Sequence, residues 1–162
     1  MMIANLYDLF LRYCRPTRKT PRLLVVDDEP HIRNIIEGIL GHAFEVFRAE
    51  SGPKAKAILQ SSPDQFDVVL LDITLPGITG DQWVLPFLKL NPKLSIIMLG
   101  SHQDTPDQHK FSLENGAVDI IPKPFDHRHL CNQITKLALG KISQLRLPQP
   151  QKLANKQSCN FR

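Results

Sequence analysis

Two short apolar runs and a third interrupted by Asp119 end, in this 162-residue chain, in residues able to do chemistry. Leu23-Leu24-Val25-Val26 is followed by Asp27-Asp28-Glu29, Val68-Val69-Leu70-Leu71 by Asp72, and Val118 to Ile121 by Pro122 and Lys123. Each polar residue has an ordinary explanation when taken singly. Asp28 could cap a helix, Asp72 could cap a turn, and Lys123 could stand in a solvated loop. Together they form a carboxylate cluster that is costly unless a cation or an ammonium offsets it. The set suits phosphoryl transfer to a carboxylate. Asp28, Asp72 and a backbone carbonyl just past Asp72 are the hard oxygen ligands that Mg²⁺ prefers. Lys123 would place a mobile positive charge on a phosphate oxygen, and Asp72 would be the nucleophile.

These residues meet only if the elements carrying them are neighbours. From residue 22 onward the pattern alternates short apolar strands with helical segments. Strands are expected at 23–26, 45–49, 68–71, 95–99 and 118–121. The first helix starts at Pro30 and carries Ile32, Ile35, Ile36, Ile39 and Leu40 along one face, and the second covers 52–59. The third covers 82–90 with a bend at Pro86. Thr105-Pro106-Asp107-Gln108 has capping-box spacing and opens a fourth helix that ends at Asn115-Gly116. Asp126 caps a fifth, which carries Leu130, Ile134, Leu137 and Ala138. Strands apolar on both faces, alternating with helices, predict an α/β fold with an open, doubly wound parallel sheet. Such sheets bind ligands outside the carboxyl ends of their strands, where Asp27, Asp28, Asp72 and Lys123 fall.

The same residues carry a family resemblance. Leu24-Val25-Val26-Asp27-Asp28-Glu29, Val68-Val69-Leu70-Leu71-Asp72-Ile73, Leu75-Pro76-Gly77 with Gly80, Gly116-Ala117 and Lys123-Pro124-Phe125 resemble the motifs of response-regulator receiver domains, over about residues 22–140. The resemblance implies a flavodoxin-like five-stranded sheet in the order 2-1-3-4-5 with five helices. It implies Mg²⁺-dependent phosphorylation of Asp72 by a sensor histidine kinase or a histidine phosphotransfer protein, and an output surface for a protein partner on helix 4, strand 5 and helix 5. Asp28, Asp72 and the backbone carbonyl of Thr74 would hold Mg²⁺, Asp27 would contribute through water, and Lys123 would hold the phosphoryl group. The Lys123-Pro124 peptide bond is expected to be cis. Such a protein is not an enzyme in the usual sense, since it catalyses only its own phosphorylation and dephosphorylation.

Two positions depart from the family pattern. A Thr or Ser is expected at the end of strand four; counting from Asp72 reaches Gly100, and counting back from Lys123 reaches Ser101. Ser101 has the hydroxyl and is the favoured choice. The switch aromatic of strand five is replaced by Ile120, which implies weaker coupling to the output face or a different packing change.

The remainder of the chain limits the alternatives. The formal charge of +4 is a sum of unlike parts. Arg12, Arg15, Arg18 and Lys19 against Asp8 leave residues 1–20 at +3, and Lys141, Arg146, Lys152, Lys156 and Arg162 leave 141–162 at +5, so residues 21–140 carry −4. Residues 1–21 are expected to be an extension, with a short amphipathic helix over 2–14 and a basic linker. Residues 141–162 are expected to be a disordered basic tail without an output domain. The stripe in 2–14 is expected to be a docking or packing face rather than a membrane anchor. Cys14, Cys131 and Cys159 have no metal or disulfide spacing, and the basic residues of 1–20 follow the apolar stretch instead of preceding it as in a signal peptide, so a cytoplasmic protein is expected. His31, His102, His109, His127 and His129 are expected at the surface and Trp83 in the packing of the third helix. DNA binding would rest on the basic ends alone, without a helix-turn-helix pattern. A phosphatase using Asp72 would need an acid two residues on, where Thr74 stands. A stand-alone phosphorylation-controlled regulator is therefore the leading expectation. The alternative is an interaction scaffold of the same fold with little phosphorylation switching.

Overall fold

Val, Leu and Ile runs that are apolar at every position need cover on both faces, and the chain provides it with a parallel sheet between two helical layers. The computed structural model describes residues 20–62 and 65–144, without the side chains of 139 and 141–144. The expected helix at 2–14, most of the basic linker and the tail beyond 144 lie outside the described residues. In chain order the elements are β1 (Arg22–Val26), α1 (Pro30–Leu40), β2 (Glu45–Ala49), α2 (Gly52–Ser61), β3 (Val68–Asp72), a 3-10 turn (Gly80–Trp83), α3 (Val84–Leu90), β4 (Ser95–Gly100), α4 (Pro106–Glu114), β5 (Asp119–Pro122) and α5 (His127–Gln144). The strands are parallel and ordered β2-β1-β3-β4-β5.

Register aligns the strand ends that matter. Val26 is level with Leu71, and Asp72 with Leu99, so Asp27 and Asp72 leave adjacent strands side by side. Gly100 pairs with Pro122, which brings Lys123 to the same edge. Alternate side chains divide the core into two layers. Leu24, Val26, Val69, Leu71, Ile96 and Met98 pack with Ala55, Leu59, Val84 and Phe87 on one face. Leu23, Val25, Val68, Leu70, Ile97 and Leu99 pack with Ile36, Leu40, Leu130 and Ile134 on the other.

Beyond one- or two-residue differences at element ends, the structure departs from the sequence expectation as follows. The bend expected at Pro86 is instead a change from 3-10 turn to α-helix between Trp83 and Val84. Pro86 is then the third residue of α3, where an N–H would have no partner within the helix, so its missing donor costs no bond. The fifth strand is shifted one residue, to Asp119–Pro122. Helix α5 continues past Gly140 to Gln144, because one glycine weakens a helix by about 1 kcal/mol without breaking its ladder.

Candidate functional site

Asp27 follows a strand that is fully buried over its last four residues, and its own side chain has no solvent exposure. Such a carboxylate must be satisfied internally. Its Oδ1 accepts the Glu29 amide at 2.9 Å and its Oδ2 accepts Lys123 Nζ at 2.7 Å. Arg33 Nη1 donates to the Asp27 backbone carbonyl and ties α1 to the end of β1. Asp28 caps nothing: the residue before α1 is Glu29, whose side chain makes no capping bond, and Asp28 is exposed. One carboxylate oxygen from each of Asp27, Asp28 and Asp72 lies within 4.8 Å of the other two.

Asp72 ends β3 and is buried. Its Oδ2 lies 3.2 Å from Lys123 Nζ and its Oδ1 accepts the Thr74 amide at 3.2 Å. That bond depends on the loop after β3 folding back. Gly80 donates its amide to the Ile73 carbonyl at 2.8 Å, and any Cβ at residue 80 would strike the Asp72 carbonyl oxygen, so only glycine fits. Burial pushes the Asp72 carboxyl up to about 6; neighbouring Asp27 adds to this, while Lys123 and the Thr74 amide oppose it. Burial also disfavours the Lys123 charge. The hydrogen bond to Asp27 and the attraction of Asp72 outweigh it, so the ammonium is held above its usual range. Lys123 is therefore no solvated loop residue. Its backbone N–H bonds the Gly100 carbonyl at 2.6 Å, and the Lys123-Pro124 bond is cis as expected.

Above these groups opens a cavity of about 520 Å³ lined by Asp28, Asp72, Thr74, Ser101 and Lys123 among others. The structure thus brings together every site residue expected from the sequence, with Asp27 in the floor beneath. Gly100 is the last residue of β4, and Ser101, just beyond it, supplies the hydroxyl that lines the cavity. That hydroxyl lies 3.1 Å from the Thr74 hydroxyl. The carboxylates of Asp27, Asp28 and Asp72, two of them buried and bridged by the Lys123 ammonium, form a hard oxygen donor set compatible with Mg²⁺.

Asp104 and His109 were not among the residues expected here. The Asp104 side chain is only 1% exposed. Its Oδ1 accepts the Thr74 hydroxyl at 2.8 Å and the Ser101 hydroxyl at 3.1 Å, and its Oδ2 accepts the Ser101 amide. Burial works against its charge, but these donors and His109 prevail and hold the carboxyl below its usual range. His109, expected at the surface, is half-buried, with Nε2 3.5 Å from Asp104 Oδ2. A sequence signal was present: Ser101 and Asp104 are spaced for a side-chain-bonded turn just before the capping box. His31, by contrast, is exposed at the rim beside Glu29. Trp83 packs against Phe87 at 5.6 Å and lies over Gly52, the packing role expected of it. Ile120 is half-buried against the same core layer.

The response regulator receiver domain family model matches residues 23–135. The transcriptional regulatory protein AruR of Pseudomonas aeruginosa is 34% identical over 121 residues, which is 72% of this chain and 49% of that protein. The two-component response regulator-like PRR37 of Oryza sativa is 30% identical over 118 residues, 71% of this chain and 16% of that protein. The chain therefore spans half or less of the length of these relatives. Among solved structures, a CheY-like response regulator receiver domain protein from Methanospirillum hungatei superposes with a TM-score of 0.71 at 29% identity, over 77% of this chain and 99% of that one. A receiver domain protein from Clostridium thermocellum gives 0.71 at 26% identity, over 76% and 98%. Among the described residues, no helix is long and apolar enough to cross a membrane.

Proposed function

The chain belongs to the response regulator receiver domain family, and from that premise we propose that it is a two-component signalling regulator that accepts a phosphoryl group on Asp72 from a phosphohistidine. The observation that carries this reading is the meeting of Asp27, Asp28 and Asp72 with Lys123 at one sheet edge. An Asp72 oxygen attacks phosphorus, the P–N bond to the donor imidazole breaks, and the imidazole leaves with the bonding pair. Asp72 must be ionised to attack, and Lys123 offsets the charge gathered on the phosphoryl oxygens. Asp28, Asp72 and the Thr74 carbonyl would hold Mg²⁺, with Asp27 acting through water. The bound ion would supply charge neutralisation between nucleophile and phosphoryl group. The Ser101 hydroxyl is the side-chain donor for a phosphoryl oxygen.

The donor would be a sensor histidine kinase or a histidine phosphotransfer protein, in the cytoplasm, and the α4–β5–α5 face would meet a downstream protein. Incubation with a small phosphodonor and Mg²⁺ should add one phosphoryl group by mass, with no adduct on Asp72→Ala. An unmodified protein under those conditions, with no Mg²⁺ binding, would favour the scaffold reading that Ile120 at the switch position supports.

A further inference from the structure

Thr74 and Ser101 are the hydroxyls nearest the acceptor, and each has one proton to donate. Both lie within reach of one acceptor, Asp104 Oδ1, at 2.8 and 3.1 Å, and the two hydroxyls lie 3.1 Å from each other, so their protons are spent within this cluster. As placed, neither hydroxyl has a donor free for an anionic group on Asp72. The far side of Asp104 faces α4, where Oδ2 lies 3.5 Å from His109 Nε2, longer than the 2.7–2.9 Å of a strong charge-assisted bond. The absence of a side chain at Gly100 leaves this meeting uncrowded. A Cβ there would lie 3.2 Å from Asp104 Oδ2, 3.3 Å from Ile120 Cγ2 and 3.4 Å from His109 Nε2.

We propose that Asp104 competes with the phosphoryl group for the Ser101 and Thr74 hydroxyls, and that losing either one draws His109, and with it α4, toward Asp104. The inference rests on the reading of Asp72 as phosphoacceptor. Once a hydroxyl turns to a phosphoryl oxygen, the nearly buried Asp104 carboxylate has one donor fewer. The ring of His109 is the nearest group that can close up to replace it. Asp104 and His109 are thus positioning residues that link the acceptor to α4 where Ile120 provides neither ring nor hydroxyl.

Beryllofluoride with Mg²⁺, a phosphoryl mimic, tests this on the full chain, with affinity read by fluorine NMR and α4 by amide hydrogen exchange. A hydrogen bond to a charged group is worth enough to shift affinity about tenfold, so Asp104→Ala should bind the mimic about tenfold more tightly. Asp104→Asn, which keeps an uncharged acceptor, should gain a few-fold and serves if the alanine variant does not fold. In a Thr74→Val/Ser101→Ala background, Asp104→Ala should give no gain, an outcome that a purely structural role does not produce. His109→Ala removes the donor that Asp104 gains only in the bound state, so it should weaken mimic binding a few-fold and blunt the exchange response of Pro106–Glu114. Unchanged or weaker binding by both folded Asp104 variants, or a gain that survives loss of both hydroxyls, overturns the competition. A full α4 response in His109→Ala overturns the transmission. No mimic binding by the parent chain would refute the phosphoacceptor reading itself, and this inference with it.

Discussion

The floor of the cleft and the arm formed by the β4–α4 loop with α4 are built in opposite ways. Asp27 and Asp72 extend from β1 and β3, whose apolar side chains are fully buried from Leu23 to Val26 and from Val68 to Leu71. Helices α1, α2, α3 and α5 each bury apolar residues in the layers that cover those strands. In α4 the buried residue is Ser112, while Phe111 and Leu113 are 45% and 47% exposed. The arm is held by polar contacts instead: Asp104 with Thr74, Ser101 and His109, and the reciprocal Thr105–Gln108 box. Close-packed apolar contacts fix one geometry, whereas hydrogen bonds can be exchanged for others of similar energy. The difference separates a rigid binding floor from an element that can shift when its polar partners change.

The largest effect expected on this contrast comes from removing the floor's own cation. Lys123→Ala leaves Asp27 and Asp72 without an ammonium, and breaking a buried pair costs about 3–5 kcal/mol. Urea unfolding without metal should show that loss, and Mg²⁺ should recover part of it. A loss below about 1 kcal/mol would mean that the carboxylates are well hydrated and the floor is not dry. Next comes the apolar contrast. Leu70→Ala, in the middle of β3, should cost about 2–5 kcal/mol, whereas Leu113→Ala on α4 should change stability by no more than about 0.5 kcal/mol. Comparable losses for the two would contradict the division into floor and arm.

The floor was far more legible in the sequence than the arm. Runs such as Val68-Val69-Leu70-Leu71 state both strand and burial, and the polar residue that ends each run states where the cleft lies. The sheet order and the convergence of Asp27, Asp28, Asp72 and Lys123 follow from that pattern and the family motifs. The arm announces itself only through its cap at Thr105. Whether the hydroxyl of Ser101 sits in the cleft depends on a turn closed by Asp104, and that turn is set by side-chain bonds that hydrophobic periodicity does not encode. His109 was missed for a related reason: a lone histidine on a polar helix carries no spacing signal, and its partner lies in the preceding loop.

A third prediction uses the Asp72 carboxyl, raised to about 6 chiefly by burial. For a group raised on folding, stability is fully present below the unfolded value and is lost as pH rises through the folded one. The metal-free protein should therefore lose stability as pH rises between about 4 and 6, by at most about 3 kcal/mol from this residue. Asp72→Asn should be more stable than the parent above pH 6, equal to it near pH 4, and hold a smaller advantage in Mg²⁺. Mg²⁺ affinity of the parent should weaken as pH falls below about 6, when Asp72 takes up a proton. Parallel unfolding curves for parent and Asp72→Asn from pH 4 to 8 would show that Asp72 ionises freely.

The smallest effect is the most discriminating for the arm. Thr105 accepts the Gln108 amide at 3.2 Å, and the Gln108 side chain accepts the Thr105 amide at 2.9 Å. Removing such a cap costs about 1 kcal/mol. If α4 were locked into the core, Thr105→Ala would lower the global unfolding free energy by that amount and leave relative protection along the chain unchanged. An arm held by polar contacts behaves otherwise, because α4 opens without unfolding the sheet. Thr105→Ala should then speed amide exchange in Pro106–Glu114 about fivefold, while exchange in β1 and β3 and the urea midpoint stay nearly unchanged. Uniform acceleration across the sheet strands would place α4 in the same cooperative unit as the floor and remove the distinction between them.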